Sequence, residues 1–437
     1  MKIKKPFFFL IATSICILAV PVIDKSLPIV RAKESFRETF PEKAFHTKLV
    51  STPPRWMLEQ IKSDFLPFKE EKITIEALEK TFENISLNVT DKTPFYHYRI
   101  LDNKLYKFIP EGRPFSDTDS TFEKAFKTLL IYAKVPDVDF ILCPMDGMPE
   151  PYMPTDFFLV KDVKDQAPIL AQAKLTQPSS KYIALIPDQF SLHKNWQGEA
   201  QEVLDLNREL NWEKKRDVAI WRGGLTDIGT PNGQFASNFS SCPRFLLCKQ
   251  SLASPLLVDA GLNWADHEME EVLKRSDVIK SGLTKKEHLQ GKYLPVLDGH
   301  MCTYPGFQWR LLSNSVCLKQ QSNQIQWFYS ALKPYVHYIP IENDMKDLVE
   351  KVEWAKCHDE EASRISRNGR EFAENNLLIE DNYFYLYLVL NKLAALEKID
   401  LQELRYATKN DPRWKCIQYR KKLALIKSYQ KVKRIFN

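Results

Sequence analysis

The sequence predicts an α/β protein of two doubly wound units that face one another across a cleft. Three observations carry this. Short apolar runs recur along the chain and alternate with helical stretches, the pattern of parallel strands covered on both faces. At 437 residues the chain exceeds one ordinary hydrophobic core. A polar helical stretch, Glu199 to Lys215, divides the runs into two groups and places a boundary near residue 205.

Taken in order, residues 29–130 read as helices and loops with few clear strands. Val138 to Cys143 is the first candidate strand and ends at Pro144 and Asp146. Tyr182 to Ile186 is the next, closed by Pro187. Val218 to Trp221 runs into Arg222-Gly223-Gly224, read as a strand followed by a tight turn. Leu256 to Asp259, Tyr293 to Leu297, Ser315 to Leu318 and Val336 to Ile341 complete the series. Helices are expected over Asp344 to Ala355 and Asp359 to Asn375. A last one, Tyr383 to Leu396, is rich in Leu and Tyr and is expected to pack back across the body. The domain reading is a membrane segment at 1–28, an acceptor-side unit at 29–205, a donor unit at 206–380, and a crossing helix with a basic tail at 381–437.

Hydrophobic residues at 44% and aromatics at 12% mark a packed globular body rather than a disordered one. The net charge is +6, yet nine Lys or Arg and no acid lie between Arg413 and Asn437, which leaves the rest at about −3. A near-neutral body argues against nucleic acid as a partner. The tail itself mixes Leu423, Ile426, Val432, Ile435 and Phe436 with its cations. It reads either as a helix lying on an anionic membrane or as a solvated terminal helix. At the other end, Lys2, Lys4 and Lys5 precede an uncharged, mostly apolar run from Pro6 to Ile23, just long enough to span a bilayer. An uncleaved single-pass anchor is expected, in a bacterial inner membrane or an ER or Golgi membrane, with a cleaved signal peptide as the alternative.

The eight cysteines include no C-x-x-C pair, and no Cys/His cluster has metal-ligand spacing. Cys143, Cys302 and Cys317 read as core residues. Cys242 and Cys248, six apart, can bridge in an oxidising compartment, though spacing does not fix a pairing.

Ligands of open α/β sheets bind beyond the carboxyl ends of the strands, so the polar residues there are the candidates. Arg222-Gly223-Gly224 follows a strand, where glycines admit a phosphate and an arginine offers it a fork of donors. Asp298 ends another strand. A loop with Gly306 and Phe307 then leads into a helix carrying Trp309 and Arg310 near its first turn, an arrangement suited to a diphosphate. An ordinary connection whose arginine pairs with a carboxylate is the alternative. Asp146 sits at a strand end in a Pro/Gly loop and is either a general base or a turn former. Asp188 holds a comparable position. His300, beside Gly299, can contact a ligand; His337, in a candidate strand, reads as a core residue. Neither a G-x-G-x-x-G nor a Walker sequence is present, which lowers the odds of a dinucleotide enzyme or an NTPase.

In order and spacing, KKRDVAIWRGG (214–224), SPLLVDAGL (254–262), KYLPVLDG (292–299), FQWRLLSNSVCL (307–318) and WFYSALKPYVHYIP (327–340) resemble one family. It comprises protein O-glucosyltransferases, fungal capsule xylosyltransferases and bacterial lipopolysaccharide-modifying glycosyltransferases, glycosyltransferase family ninety. The resemblance spans roughly residues 130–390. It implies a two-domain GT-B fold and an inverting, metal-independent transfer from a UDP-sugar to a protein or glycan hydroxyl. By position it implies Asp146 as catalytic base, with Arg222, Gly223, Gly224, Arg244, Asp298, Gly306, Phe307, Trp309 and Arg310 around the donor. It places Asp188 and Ser191 near the sugar or acceptor. Gly224 stands where animal members often have serine, and Asp188 where they have a small apolar residue, so donor sugar and acceptor stay open. A binding protein of the same fold without catalysis is the competing reading.

Overall fold

A computed structural model describes residues 40–68, 73–88, 95–112, 120–145, 166–176, 178–225, 239–264, 271, 273–299 and 301–417. The apolar run 6–23, the basic tail beyond 417, Asp146 and His300 lie outside these residues. Contacts divide the chain into Met1–Pro41 and Glu42–Asn437, and the architecture is that of the second unit. Among the described residues no helix is long and apolar enough to cross a membrane.

Three helices come first, α1 (Glu42–Val50), α2 (Arg55–Asp64) and α3 (Ile75–Asn88). A hairpin follows, β1 (Tyr96–Leu101) and β2 (Lys104–Phe108), then α4 (Thr121–Tyr132), β3 (Val138–Leu142), β4 (Ile169–Ala171), β5 (Lys174–Leu175) and β6 (Ile183–Leu185). The hairpin corrects the expectation of helices and loops before residue 130. Its two-residue turn, Asp102-Asn103, has both φ angles positive, at 49° and 58°. Asp and Asn tolerate that conformation, and it matches the twist of paired strands. Asn103 also donates to Leu130 O at 2.8 Å and pins the turn to the end of α4.

The first sheet has the order β13-β2-β1-β3-β4-β6, where β13 (Trp414–Cys416) comes from the far end of the chain. The β13, β2, β1 and β3 pairings are antiparallel and only β3-β4-β6 is parallel. This half is therefore mixed rather than doubly wound throughout. Beneath it lies a buried ionic cluster. Asp139 contacts His97 Nε2 and accepts from Arg99 Nε at 2.6 Å, while its backbone N–H donates to Glu397 Oε1 at 3.0 Å. The Arg99 guanidinium lies 3.9 Å over the Trp414 ring.

After α5 (Asn195–Glu209), within which the expected boundary falls, the second sheet begins. Its elements are β7 (Arg216–Gly224), α6 (Pro243–Ala253), β8 (Val258–Trp264), α7 (Lys285–His288), β9 (Gly291–Val296), α8 (Gly306–Leu311), β10 (Val316–Gln320), β11 (Gln324–Ile325) and β12 (Ile339–Ile341). The order β12-β10-β9-β7-β8 is parallel at every pairing. One face buries Ala219, Trp221, Val258, Tyr293, Val316 and Ile339 in a single core that includes α6 and α9 (Leu348–Cys357). Side chains alternate across a strand, so Ile220, Arg222, Asp259, Leu294 and Cys317 occupy the other face, the one on which α8 packs.

Two features bring the strand ends of the sheets together. β5 and β11 pair antiparallel, tying the end of β4 to the end of β10. Asp188, just beyond β6, accepts from Gln308 of α8 at 2.8 Å. The chain closes with α10 (Asp359–Asn376), α11 (Ile379–Leu396), α12 (Leu401–Asn410) and β13. α11 crosses back to α1, α2, α4 and β3, as its Leu and Tyr content predicts. Val336 and His337 are not strand. Tyr335 has a φ of 57°, and the Lys333 N–H donates to His337 Nδ1, so the chain turns there before β12 starts. Cys242 and Cys248 are buried thiols.

Candidate functional site

Arg222 and Gly224 belong to β7 itself; the strand runs on through Gly224 with an irregular register at Gly223, in place of the expected turn. Gly223 lies against the Trp221 ring. Arg222 reaches across the α8 face, donating from Nη2 to Asp259 Oδ1 at 2.9 Å and from Nε to Ser281 O at 3.1 Å. Lys280 Nζ meets the same Asp259 oxygen at 3.0 Å. Two cations therefore share one carboxylate. Their hydrogen bonds and charges outweigh its burial and hold Asp259 below the usual carboxylate range.

Arg244, in the first turn of α6, closes the carboxyl edge of the sheet. Its Nη1 donates to Gly224 O at 2.8 Å, its Nε to Asp298 O at 2.9 Å, and its Nη2 to Leu297 O at 3.2 Å. The strand ends β7 and β9 are thus held by a guanidinium. Asp298 is buried; its N–H donates to Gln320 Oε1, its carboxylate accepts from Ser322, and Lys319 Nζ stands 3.5 Å away.

Arg310 lies in the second turn of the six-residue α8, buried against Cys317. Its Nη1 donates to Gly306 O at 2.9 Å, its guanidinium lies 4.2 Å from the Trp309 ring, and its Nε has no partner among the described residues. Among the described residues no carboxylate neighbours it. Burial, with Arg244 nearby, lowers its pKa to about 10. Gly306 permits this packing, because a Cβ there would come 2.1 Å from Thr303 Cγ2 and 2.9 Å from Arg310 Nη1. Phe307, on the same helix, points away toward Phe328, Tyr329 and Tyr338.

His288 completes the cluster and was not among the residues singled out from sequence. It stacks edge-on to Trp309 at 5.9 Å between centroids. Its Nδ1 lies 3.0 Å from Thr284 O. A carbonyl only accepts, so Nδ1 carries the proton and, in the neutral ring, Nε2 is left as an acceptor. That atom is buried and unpartnered among the described residues. Burial first, then the positive Arg310, pushes the imidazole pKa down to about 4, so the ring is neutral at pH 7. In sequence, KKEHLQG offers a lone histidine in a basic run, and only its place immediately before a strand could have drawn attention to it.

The remaining candidates have structural partners. Asp188 is fully buried; Oδ1 accepts from the backbone N–H groups of Phe190 and Ser191, and Oδ2 from Gln308. Desolvation raises its pKa against these bonds. Ser191 is equally buried, donating to Asp188 O and accepting from Asn382 at its carbonyl. Asp146 lies outside the described residues. The chain leading to it is fixed, since Met145 O accepts from Gln172 Nε2 at 2.6 Å. An open groove of about 930 Å³ at Trp212, Asp359 and Arg364 is lined by neither Arg222, Arg244 nor Arg310. Among the described residues no group of three His, Cys, Asp or Glu could hold a metal ion.

What the cluster can do is bind a polyanion at its guanidinium groups, while the neutral imidazole beside Trp309 can accept from an N–H or O–H of the same ligand. The sequence model "Glycosyl transferase family 90" matches residues 52–432. The chain belongs to that family. A family 90 relative, protein O-glucosyltransferase 3 of Mus musculus, is 28% identical over 302 residues, covering 68% of this chain and 55% of that protein. Protein O-glucosyltransferase 2 of Danio rerio is 32% identical over 187 residues, 43% of this chain and 34% of the relative. The chain thus spans about half the length, or less, of these relatives. Among solved structures, Anabaena HepE in complex with UDP and glucose aligns over 60% of this chain and 70% of its own, with a TM-score of 0.35 and 10% identity, too loose to bear on fold or chemistry.

Proposed function

We propose that this family 90 chain transfers a sugar, glucose or xylose first in order, from a UDP-sugar to a hydroxyl of a protein or glycan acceptor. The transfer inverts the anomeric carbon and uses no metal ion. The carrying observation is Arg310, a guanidinium 5% exposed with no carboxylate beside it among the described residues. A buried cation is costly, and an arriving diphosphate offsets that cost.

In this reading residues 206–380 hold the donor and residues 29–205 the acceptor, with the membrane reached through the N-terminal run and the basic tail. Arg310 and Arg222 meet the diphosphate, while Arg244 and Gly306 shape the edge on which it lies. His288 Nε2 accepts a hydrogen bond from a donor-group N–H or O–H. Asp146 takes the proton of the acceptor hydroxyl as its oxygen attacks the anomeric carbon. The bond from that carbon to the phosphate oxygen breaks on the opposite face, and its electron pair leaves with UDP. Guanidinium donors fixed in a dry site stabilise this growing charge. The relatives named protein O-glucosyltransferase support glucose as the first donor to try.

The test measures UDP release and product with UDP-glucose and UDP-xylose, with and without EDTA. Asp146→Asn is expected to lose about 10²–10⁴-fold in turnover while still binding UDP. Arg310→Met is expected to keep or raise the melting temperature, since it replaces an unpaired buried charge, while weakening UDP binding. Near-normal turnover in Asp146→Asn would remove the base, and unchanged UDP affinity in Arg310→Met would remove the donor site.

A further inference from the structure

A second cavity, of about 370 Å³, opens between the end of β10, β11 and the turn at Tyr329–Ala331. Its volume falls within the usual range of small-molecule sites, roughly 300–1,000 Å³. It shares no residue with Arg222, Arg244, His288 or Arg310. We propose that this cavity binds a neutral sugar ring.

The chemistry of its lining selects that ligand. Among the described residues Lys319 is the one charged lining residue, and its Nζ stands 3.5 Å from Asp298 Oδ1, so these residues offer an ionic ligand no unbalanced charge. The polar wall is built mostly of amides. Gln324 is 8% exposed and its Oε1 has no partner among the described residues. Its backbone is fixed by the β11–β5 pairing. Gln320, which also lines the cavity, uses its amide oxygen on the Asp298 N–H. Gln321 is exposed at the mouth.

A carboxamide donates and accepts at once, as adjacent hydroxyls on a pyranose require. Tyr338, half-buried in the lining, adds apolar surface for the C–H face of a sugar to cover, and the buried Phe307 ring backs it at 6.4 Å between centroids. Gln60 belongs to the frame, since its amide already bridges Asp64 and Ser330. The proposal rests on these residues and not on the donor-site reading.

Saturation-transfer NMR on the full chain with glucose, and separately with xylose, tests it, with UDP as a parallel probe. Transfer to sugar ring protons is expected. Gln324→Leu keeps side-chain size and strand pairing while removing both amide groups, and should weaken sugar binding about tenfold or more. Arg310→Met should leave sugar binding unchanged and reduce that of UDP. Should Gln324→Leu not fold, Tyr338→Ala, at a half-buried position, is expected to weaken sugar binding in its place. Absence of transfer, or transfer that survives Gln324→Leu and Tyr338→Ala, overturns the proposal. Transfer lost in Arg310→Met instead would move the sugar to the arginine cluster and equally overturn it. If UDP fails to bind while sugar binding follows Gln324, the donor reading falls and this one stands.

Discussion

Arg310 and His288 belong together because the guanidinium helps to keep the ring uncharged. The guanidinium is buried beside an imidazole that burial and positive neighbours keep uncharged. Arg222 adds to that depression, and among the described acids Glu287 opposes it. The sign follows directly. In the unfolded chain His288 takes a proton near its ordinary value of 6.5, whereas in the fold it resists until about 4. Stability from this group is therefore full above pH 6.5 and lost as the pH falls toward 4, by up to about 3 kcal/mol. Urea denaturation at pH 7, 6 and 5 should show the decline, and His288→Gln should flatten it; an unchanged slope would place the acid sensitivity elsewhere. At this scale the sequence was informative about arginines after strands and silent about His288. It was equally silent about the partner of Asp188, because Gln308 lies 120 positions away and no local pattern encodes that bond.

Elements were legible where a short run is mostly apolar. Val138–Cys143, Tyr293–Leu297 and Ser315–Leu318 read as strands from composition, and they overlap β3, β9 and β10, whose residues are all buried. YHYRIL did not, because its His97 and Arg99 are polar yet buried by the Asp139 cluster, so the periodicity misleads. Three-residue β4 is too short to leave a signal. Packing between elements also reverses a rule of thumb. Gly369 lies inside α10, where alanine ordinarily gains about 1 kcal/mol. A Cβ there would stand 2.7 Å from His337 O and 3.2 Å from Leu311 Cδ2. Overpacking against a backbone carbonyl costs on the order of 1–3 kcal/mol, which outweighs the propensity gain. Gly369→Ala is thus expected to lower the urea midpoint, and a higher midpoint would mean that the loop before β12 gives way.

For the molecule as a whole, the unanticipated fact is that the C-terminal segment is part of the first sheet. The expectation of a crossing helix is met by α11, but α12 and β13 continue beyond it and close the edge at β2. Trp414 carries this closure. Its ring lies under Arg99 and meets His97 and Phe108 at 4.9 and 5.3 Å between centroids. Trp414→Ala is expected to cost about 3–5 kcal/mol, a large share of a typical total of about 5–15. Thermal unfolding should show it as one of the most damaging single changes, and a shift of under two degrees would mean that the segment docks without supporting the sheet.

That closure has a consequence for birth on the ribosome. β2 ends at Phe108 and its neighbour begins at Trp414. At a synthesis rate of about 5–20 residues per second, the nascent chain waits roughly 15–60 s with that edge bare and the Arg99 guanidinium lacking its aromatic lid. An unpaired edge of this kind invites pairing with other chains. Translation speed and chaperone supply, more than intrinsic stability, are then expected to set how much of this protein a cell recovers.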